Sequence, residues 1–283
     1  MFGRRRYRRA MADLLYNPVV KTARVMFFTM GMKLDIRGVD NIPRTGGAVM
    51  AINHTSFLDF IFAGVPAADA GGRYIRFMAK DAVFHHPVSG PLMRGMKHIP
   101  VDRNAGGGAY AAAVAALRSG ELVGVFPEAT MSRSFDIKDL KSGAARMAAD
   151  AGVPLIPEIV FGGQRIFSYH HKDLSRGKAI SVHVGEQLHP TVDDDMAEVT
   201  AELHTRMRDL LDETIEDYSQ LPRPGQDDWW LPARHGGSAP TLAAAAELEA
   251  AAKAKKAEAR KKQRRRADQG RTGMGERNVG ADN

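Results

Sequence analysis

Ala48-Val49-Met50-Ala51-Ile52-Asn53-His54-Thr55-Ser56-Phe57-Leu58-Asp59 is the stretch on which the reading of this 283-residue chain turns. Ala48–Ile52 is an unbroken apolar run, too short for a helix and of the right length for a strand buried on both faces. Ser56 is placed as a helix N-cap, which makes Asp59 the third helical residue, a capping-box position. His54 and Asp59 are five residues apart, about 140° around a regular helix, so they cannot meet within one. They can meet if His54 precedes the helix and Asp59 sits in its first turn. Ser56 and Asp59 as a simple helix cap is the plainer alternative, but a cap needs neither Asn53 nor His54. An imidazole held by a carboxylate just after a buried strand is the base half of a catalytic triad. The chain has no cysteine and no Gly-x-Ser-x-Gly elbow. The substrate's own hydroxyl is then the expected nucleophile.

Working outward, further short runs read as strands: Tyr74–Met78, His98–Val101, Leu122–Phe126, Leu155–Phe161 and Ile180–Val184. Helical patterns lie between or after them at Ala109–Arg118, Gly143–Ala151 and Met196–Tyr218. This alternation predicts an α/β fold, a mixed and largely parallel sheet flanked by helices, over residues 34–220. Chemistry is expected at the carboxyl ends of its strands.

The formal charge of +7 favours anionic partners, and it is concentrated at the two ends. Residues 1–33 open with Arg4, Arg5, Arg6, Arg8 and Arg9 and continue into an apolar stretch, Leu14–Met32, interrupted by Asn17, Lys21, Thr22 and Arg24. No window reaches the length of uncharged apolar residues that a spanning helix needs, and no small-residue cleavage site marks a signal peptide. The expectation is an N-terminal membrane-associating helical segment lying on the bilayer, with Val25, Met26, Phe27, Phe28 and Met30 dipping in. Packing of the same residues on the protein's own core is the alternative. Residues 221–235 read as a connector. Its Trp229-Trp230 is either an interfacial anchor or domain packing. Residues 236–283 form a basic Ala/Lys/Arg-rich tail, helical or disordered, with no apolar periodicity to bury. The basic run Lys253–Arg266 is suited to anionic lipid. It has no aromatics to stack on bases, so nucleic acid is not expected as a partner.

Asn53-His54-x-x-x-x-Asp59 resembles the first motif of the glycerolipid acyltransferases, the family of bacterial 1-acylglycerol-3-phosphate acyltransferases. Other blocks follow in order. Ala79-Lys80-Asp81-Ala82-Val83-Phe84 resembles the family's lysine-containing block. Gly95 to Arg103 resembles the second motif, which ends in a substrate-binding Arg. Phe126-Pro127-Glu128-Ala129-Thr130 resembles the third, Phe-Pro-Glu-Gly-Thr-Arg-Ser. Lys141-Ser142-Gly143-Ala144 and Val153-Pro154-Leu155-Ile156-Pro157 resemble the fourth. The resemblance spans residues 34–185.

It implies acyl transfer from a thioester to the free hydroxyl of 1-acylglycerol-3-phosphate, giving phosphatidic acid. His54 and Asp59 are then catalytic, and Glu128, Arg103, Lys80, Asn53, Thr130 and Arg133 bind substrate. Two departures stand in the third motif: Ala129 replaces Gly, and Met131 replaces the Arg that helps hold the acceptor phosphate. Either Arg133 substitutes for it, or Arg103 and Lys80 carry the phosphate alone. Other lysophospholipid, glycerol-3-phosphate or glycolipid acceptors, and an inactive membrane-bound scaffold, are the competing readings. No resident cofactor is implied. The co-substrate is acyl-CoA or acyl-acyl carrier protein, and the place of action is the cytoplasmic face of the cell membrane, held peripherally on anionic lipid.

Metal sites are not expected. His85-His86 and His170-His171 lack metal-ligand spacing. Asp193-Asp194-Asp195 lacks the Gly and Glu of a calcium loop and suits the positive end of the following helix.

Overall fold

The apolar run Ala48–Ile52 is fully buried and lies at the centre of a seven-stranded sheet. The computed structural model describes residues 2–102 and 107–275, with side chains for 16–102, 107–255 and 257–259. In chain order the elements are α1 (Phe2–Thr29), β1 (Lys33–Arg37), β2 (Ala48–Ile52), α2 (Asp59–Asp69), β3 (Ile75–Lys80), α3 (Asp81–Phe84), α4 (Ser89–Gly95) and β4 (Ile99–Val101). They continue as α5 (Gly108–Arg118), β5 (Leu122–Val125), α6 (Gly143–Ala151), β6 (Leu155–Phe161), the hairpin β7 (Phe167–Ser168) and β8 (His171–Lys172), β9 (Ala179–Val184), α7 (Met196–Glu216) and α8 (Leu242–Gly275).

The main sheet runs β1-β9-β6-β2-β5-β3-β4. Every pairing in it is parallel except β6 with β9, so the expected mixed, largely parallel sheet is the one observed. β2 alternates between two cores, which is why it carries no polar face. Val49 and Ala51 pack with residues of α5, α6 and α7. Ala48, Met50 and Ile52 pack with Phe27 of α1 and Phe62 and Ala63 of α2. β2 lies between β5 and β6, so the connections leaving β2 and β5 pass in opposite directions and open a crevice at their carboxyl ends.

β1 was not among the expected strands. Its residues Lys-Leu-Asp-Ile-Arg pair in parallel with β9 at the sheet edge and are half-exposed. An edge strand buries too few apolar side chains to announce itself in sequence.

The ends correct two expectations. Phe27 is buried and stacks on Phe62 with centroids 5.2 Å apart, so it belongs to the core and not to a bilayer-facing set. Tyr16 donates to Ile75 O at 2.6 Å, which ties the same helix to β3. Val25 and Phe28 do face outward, Phe28 at 84% exposure. Among the described residues no helix is long and apolar enough to cross a membrane. The tail is helical from Leu242, and its start does have a buried face: Ala245 is inaccessible. Trp230 lies in the core against Phe161 and Tyr218, which decides the Trp229-Trp230 question in favour of packing.

β6 contains a polar exception. Glu158 is fully buried, and neither carboxyl oxygen has a hydrogen-bond partner. Burial pushes its carboxyl well above the ordinary range, so it is neutral in the fold. The unfolded chain releases this proton once pH passes the ordinary carboxyl value of 4.5, and the folded chain does not. The unfolded state then binds fewer protons than the native one, and stability falls as pH rises. Glu158→Met is expected to stabilise the fold by about 1–3 kcal/mol, because it removes an unsatisfied buried group. The gain should widen from mildly acidic to alkaline pH in thermal denaturation, and a pH-independent or absent gain would contradict the assignment.

Candidate active site

The turn after β2 brings His54 and Asp59 together. His54 Nδ1 lies 3.0 Å from Asp59 Oδ2. The same oxygen accepts the backbone N–H groups of Thr55 and Ser56, each at 2.7 Å. The bond from Ser56 N–H is the return half of the expected capping box. The forward half differs: Ser56 Oγ accepts from Leu58 N at 3.1 Å and donates to Phe167 O at 2.8 Å. Helix α2 accordingly begins at Asp59 itself. The aspartate therefore both organises the helix entry and grips the imidazole, and the two readings of the motif are one arrangement.

Asp59 is 1% exposed. Burial pushes its carboxyl up, against the opposing pull of the His54 imidazole and the two amides. Because the carboxylate receives Nδ1–H, Nε2 is left as the basic nitrogen. Nε2 has no hydrogen-bond partner among the described residues, and a quarter of the His54 side chain is exposed. Phe126, just past β5, stacks on the imidazole with centroids 4.3 Å apart.

Glu128 closes the site from the same turn. Its Oε1 accepts from His54 N at 2.8 Å and its Oε2 from Lys138 N at 3.3 Å. Burial pushes it up to about 8, partly offset by the hydrogen bonds from His54 and Lys138 and by the Lys138 charge. Ser132 N donates to His54 O at 2.7 Å and draws the third-motif loop onto the first motif.

This geometry accompanies a sequence match. The acyltransferase family model matches residues 33–160, which include both motifs. A 1-acyl-sn-glycerol-3-phosphate acyltransferase of Bacillus subtilis is 29% identical over 175 residues, covering 60% of this chain and 84% of the relative. One from Borreliella burgdorferi is 26% identical over 174 residues, covering 60% of this chain and 66% of the relative. Residues 33–160 form an acyltransferase-family domain, similar in sequence to the domains of these relatives. The crystal structure of the 1-acyl-sn-glycerophosphate acyltransferase PlsC from Thermotoga maritima shares the fold, with a TM-score of 0.58 at 18% identity over 79% of this chain and 86% of that one.

The remaining expected site residues separate. Asn53 is fully buried, and its amide is engaged with one neighbour: Nδ2 donates to Val160 O at 3.1 Å and Oδ1 accepts from Val160 N at 2.7 Å. It clamps the end of β2 to β6 and is inaccessible to solvent in this structure. Thr130 is exposed beside Lys138. Arg133 lies over the Tyr169 ring at 4.3 Å, and its Nε has no partner. Lys80 is exposed at the end of β3. Arg103 lies outside the described residues. Ala129 adopts a left-handed conformation with φ of 62°, which explains why glycine is the family's residue there. Met131, at the family's arginine position, is 3% exposed and carries no cation into the site.

Sequence reasoning missed Lys138 and Gly163. A Cβ on Gly163 would sit 3.3 Å from Asp59 Oδ1 and 3.2 Å from Ser56 Cβ, so this glycine permits the turn after β6 to close over the dyad. A lone glycine in a loop carries no such signal in sequence.

His54→Ala is expected to lower turnover roughly 10²–10⁴-fold while the protein stays folded. Asp59→Asn should have a large but smaller effect. Gly163→Ala should lower kcat about tenfold or more by displacing Asp59, with a modest loss of thermal stability because Asp59 also orders the start of α2. Circular dichroism paired with acyl-transfer kinetics checks all three. Near-normal turnover by folded His54→Ala would end the general-base role.

Proposed function

We propose that this enzyme transfers a fatty acyl group from a thioester to the free hydroxyl of 1-acylglycerol-3-phosphate, forming phosphatidic acid. The observation that carries the proposal is His54, fixed through Nδ1 by a buried aspartate with Nε2 open. Among the described residues no protein hydroxyl is hydrogen-bonded to the His54 ring, and the chain has no cysteine. In this reading Nε2 takes the proton of the acceptor hydroxyl as its oxygen attacks the thioester carbonyl. The tetrahedral intermediate collapses, the C–S bond breaks, and the departing thiolate receives the proton from the imidazolium. Asp59 holds the ring and stabilises its charged form.

Two aromatic groups border the turn that carries the histidine, and their exposed rings Phe57, Phe60 and Tyr169 suit an acyl chain. One runs His54, Phe126, Phe77 and Phe60. The other is Phe57, Phe167 and Tyr169, with Arg133 on its outer ring. The acceptor assignment draws on the names of the relatives from Bacillus and Borreliella. Acyl-CoA and acyl-acyl carrier protein both meet the chemistry of the donor. The outward Val25 and Phe28 on an arginine-led helix, with the half-exposed Phe57 and Phe60, support peripheral attachment at the cytoplasmic face of an anionic membrane.

A matrix of thioester donors against lysolipid acceptors tests the assignment. Transfer to lysophosphatidate above all other acceptors is expected. A preference unaffected by the acceptor's phosphate would favour another lysophospholipid or a glycolipid, the reading that the loss of the family arginine at Met131 leaves standing.

The pH profile supplies a second test. Ionisation of Glu128 near pH 8 adds a negative charge beside His54. The kcat/KM for a phosphorylated acceptor is therefore expected to fall as pH rises through about 8. Glu128→Gln should remove that limb, and an identical limb in the variant would sink the assignment. Liposome sedimentation provides a third: binding should survive high salt, because apolar insertion is not screened. Complete release by salt would show attachment by charge alone.

A further inference from the structure

The loop that carries the third motif already holds an anion. Lys138 Nζ donates to both carboxylate oxygens of Glu249, at 2.9 and 3.1 Å, and to Thr130 Oγ1 at 2.6 Å. Thr130 Oγ1 in turn donates to Glu249 Oε2 at 3.3 Å. The group is partly withdrawn from water, with Lys138 at 16% and Glu249 at 28% side-chain exposure. An ammonium and a hydroxyl converging on one oxyanion form a recognition unit for a carboxylate or a phosphomonoester alike.

The location ties this unit to the chemistry. Lys138 N–H and His54 N–H bind the two oxygens of the same carboxylate, Glu128. The cationic side chain thus stands on a loop one residue removed from the catalytic base. The position of the family's usual cation in this motif is occupied by Met131, which carries no charge. Glu249, by contrast, comes from α8, beyond the matched residues 33–160. It is a late segment of the chain reaching back to the site.

Resting on the acyl-transfer reading, we propose that Lys138 and Thr130 receive the phosphate of the acceptor and that Glu249 occupies their site while no acceptor is bound. A phosphomonoester carries about −1.5 to −2 charges near neutrality and three acceptor oxygens, against one charge on the glutamate, so it can displace the resident carboxylate. Lys138 is then a specificity-determining residue of the reaction, and Glu249 is a built-in competitor for it.

Steady-state kinetics on the full-length protein test this, with lysophosphatidate and phosphate-free monoacylglycerol presented in zwitterionic micelles. Lys138→Met is expected to raise the lysophosphatidate KM about tenfold or more, with kcat little changed. Its KM for monoacylglycerol should not move. Glu249→Gln should lower the lysophosphatidate KM several-fold. Both variants break the same contact with α8, so a merely structural bridge would shift both the same way. Equal shifts, no shifts, or an effect shared by monoacylglycerol would overturn the proposal.

An arm without turnover titrates glycerol 3-phosphate against wild type and both variants, with inorganic phosphate as the control. Weaker binding to Lys138→Met and tighter binding to Glu249→Gln are expected. Wild-type binding of inorganic phosphate as tight as that of glycerol 3-phosphate would overturn the assignment to the acceptor. Absence of acyl transfer to any acceptor by wild type would refute the acyl-transfer reading, and the titration would still report on the anion site.

Discussion

The carboxylate of Asp59 is the constraint around which the site is organised. A buried carboxylate is costly unless donors surround it, and here three converge on one oxygen: the amides of Thr55 and Ser56 and the imidazole of His54. Satisfying that oxygen bends the chain between β2 and α2 into a single shape. The histidine is then displayed at the carboxyl edge of the central strand, ring fixed and one nitrogen open. Helix capping and imidazole positioning are the same set of bonds, so weakening the site also weakens the start of α2.

The neighbouring strands extend this logic. The turn after β5 supplies Phe126 against the imidazole face and Glu128 to the His54 backbone. β6 is pinned to β2 by the Asn53 amide, and the turn after it closes over Asp59 through Gly163. Three strands adjacent in space but distant in sequence thus hold one side chain. Such preorganisation is what a general base needs, since a small misplacement is expensive in rate. The Glu158 carboxyl, lodged without partners in the core below, is the opposite case: burial without compensation keeps it neutral.

Charge is distributed with a similar division. The inner carboxyl groups of Asp59 and Glu128 are paired with backbone donors, whereas Lys138, Arg133 and Lys80 stand further out. α8 adds its own carboxylate to that outer layer. The C-terminal segment therefore has a contact with the third-motif loop as well as the basic run Lys253–Arg266 that the sequence displays.

Much of this was open to reading from the chain alone, for definite reasons. The central strands are unbroken apolar runs because both sheet faces are covered, and that pattern is local. The His54–Asp59 spacing excludes a shared helix and so forces the turn, which is again a local argument. The ordered motifs carried the family. Tertiary structure alone decided what depends on residues far apart. β1 is a strand because β9 is there to pair with it, Phe27 is core because Phe62 lies opposite, and Asn53 is a clamp because Val160 presents both of its backbone groups. Glu249 reaches Lys138 from more than a hundred residues away. In each of these cases the partner is set by packing, and a one-dimensional pattern records only what neighbours along the chain impose.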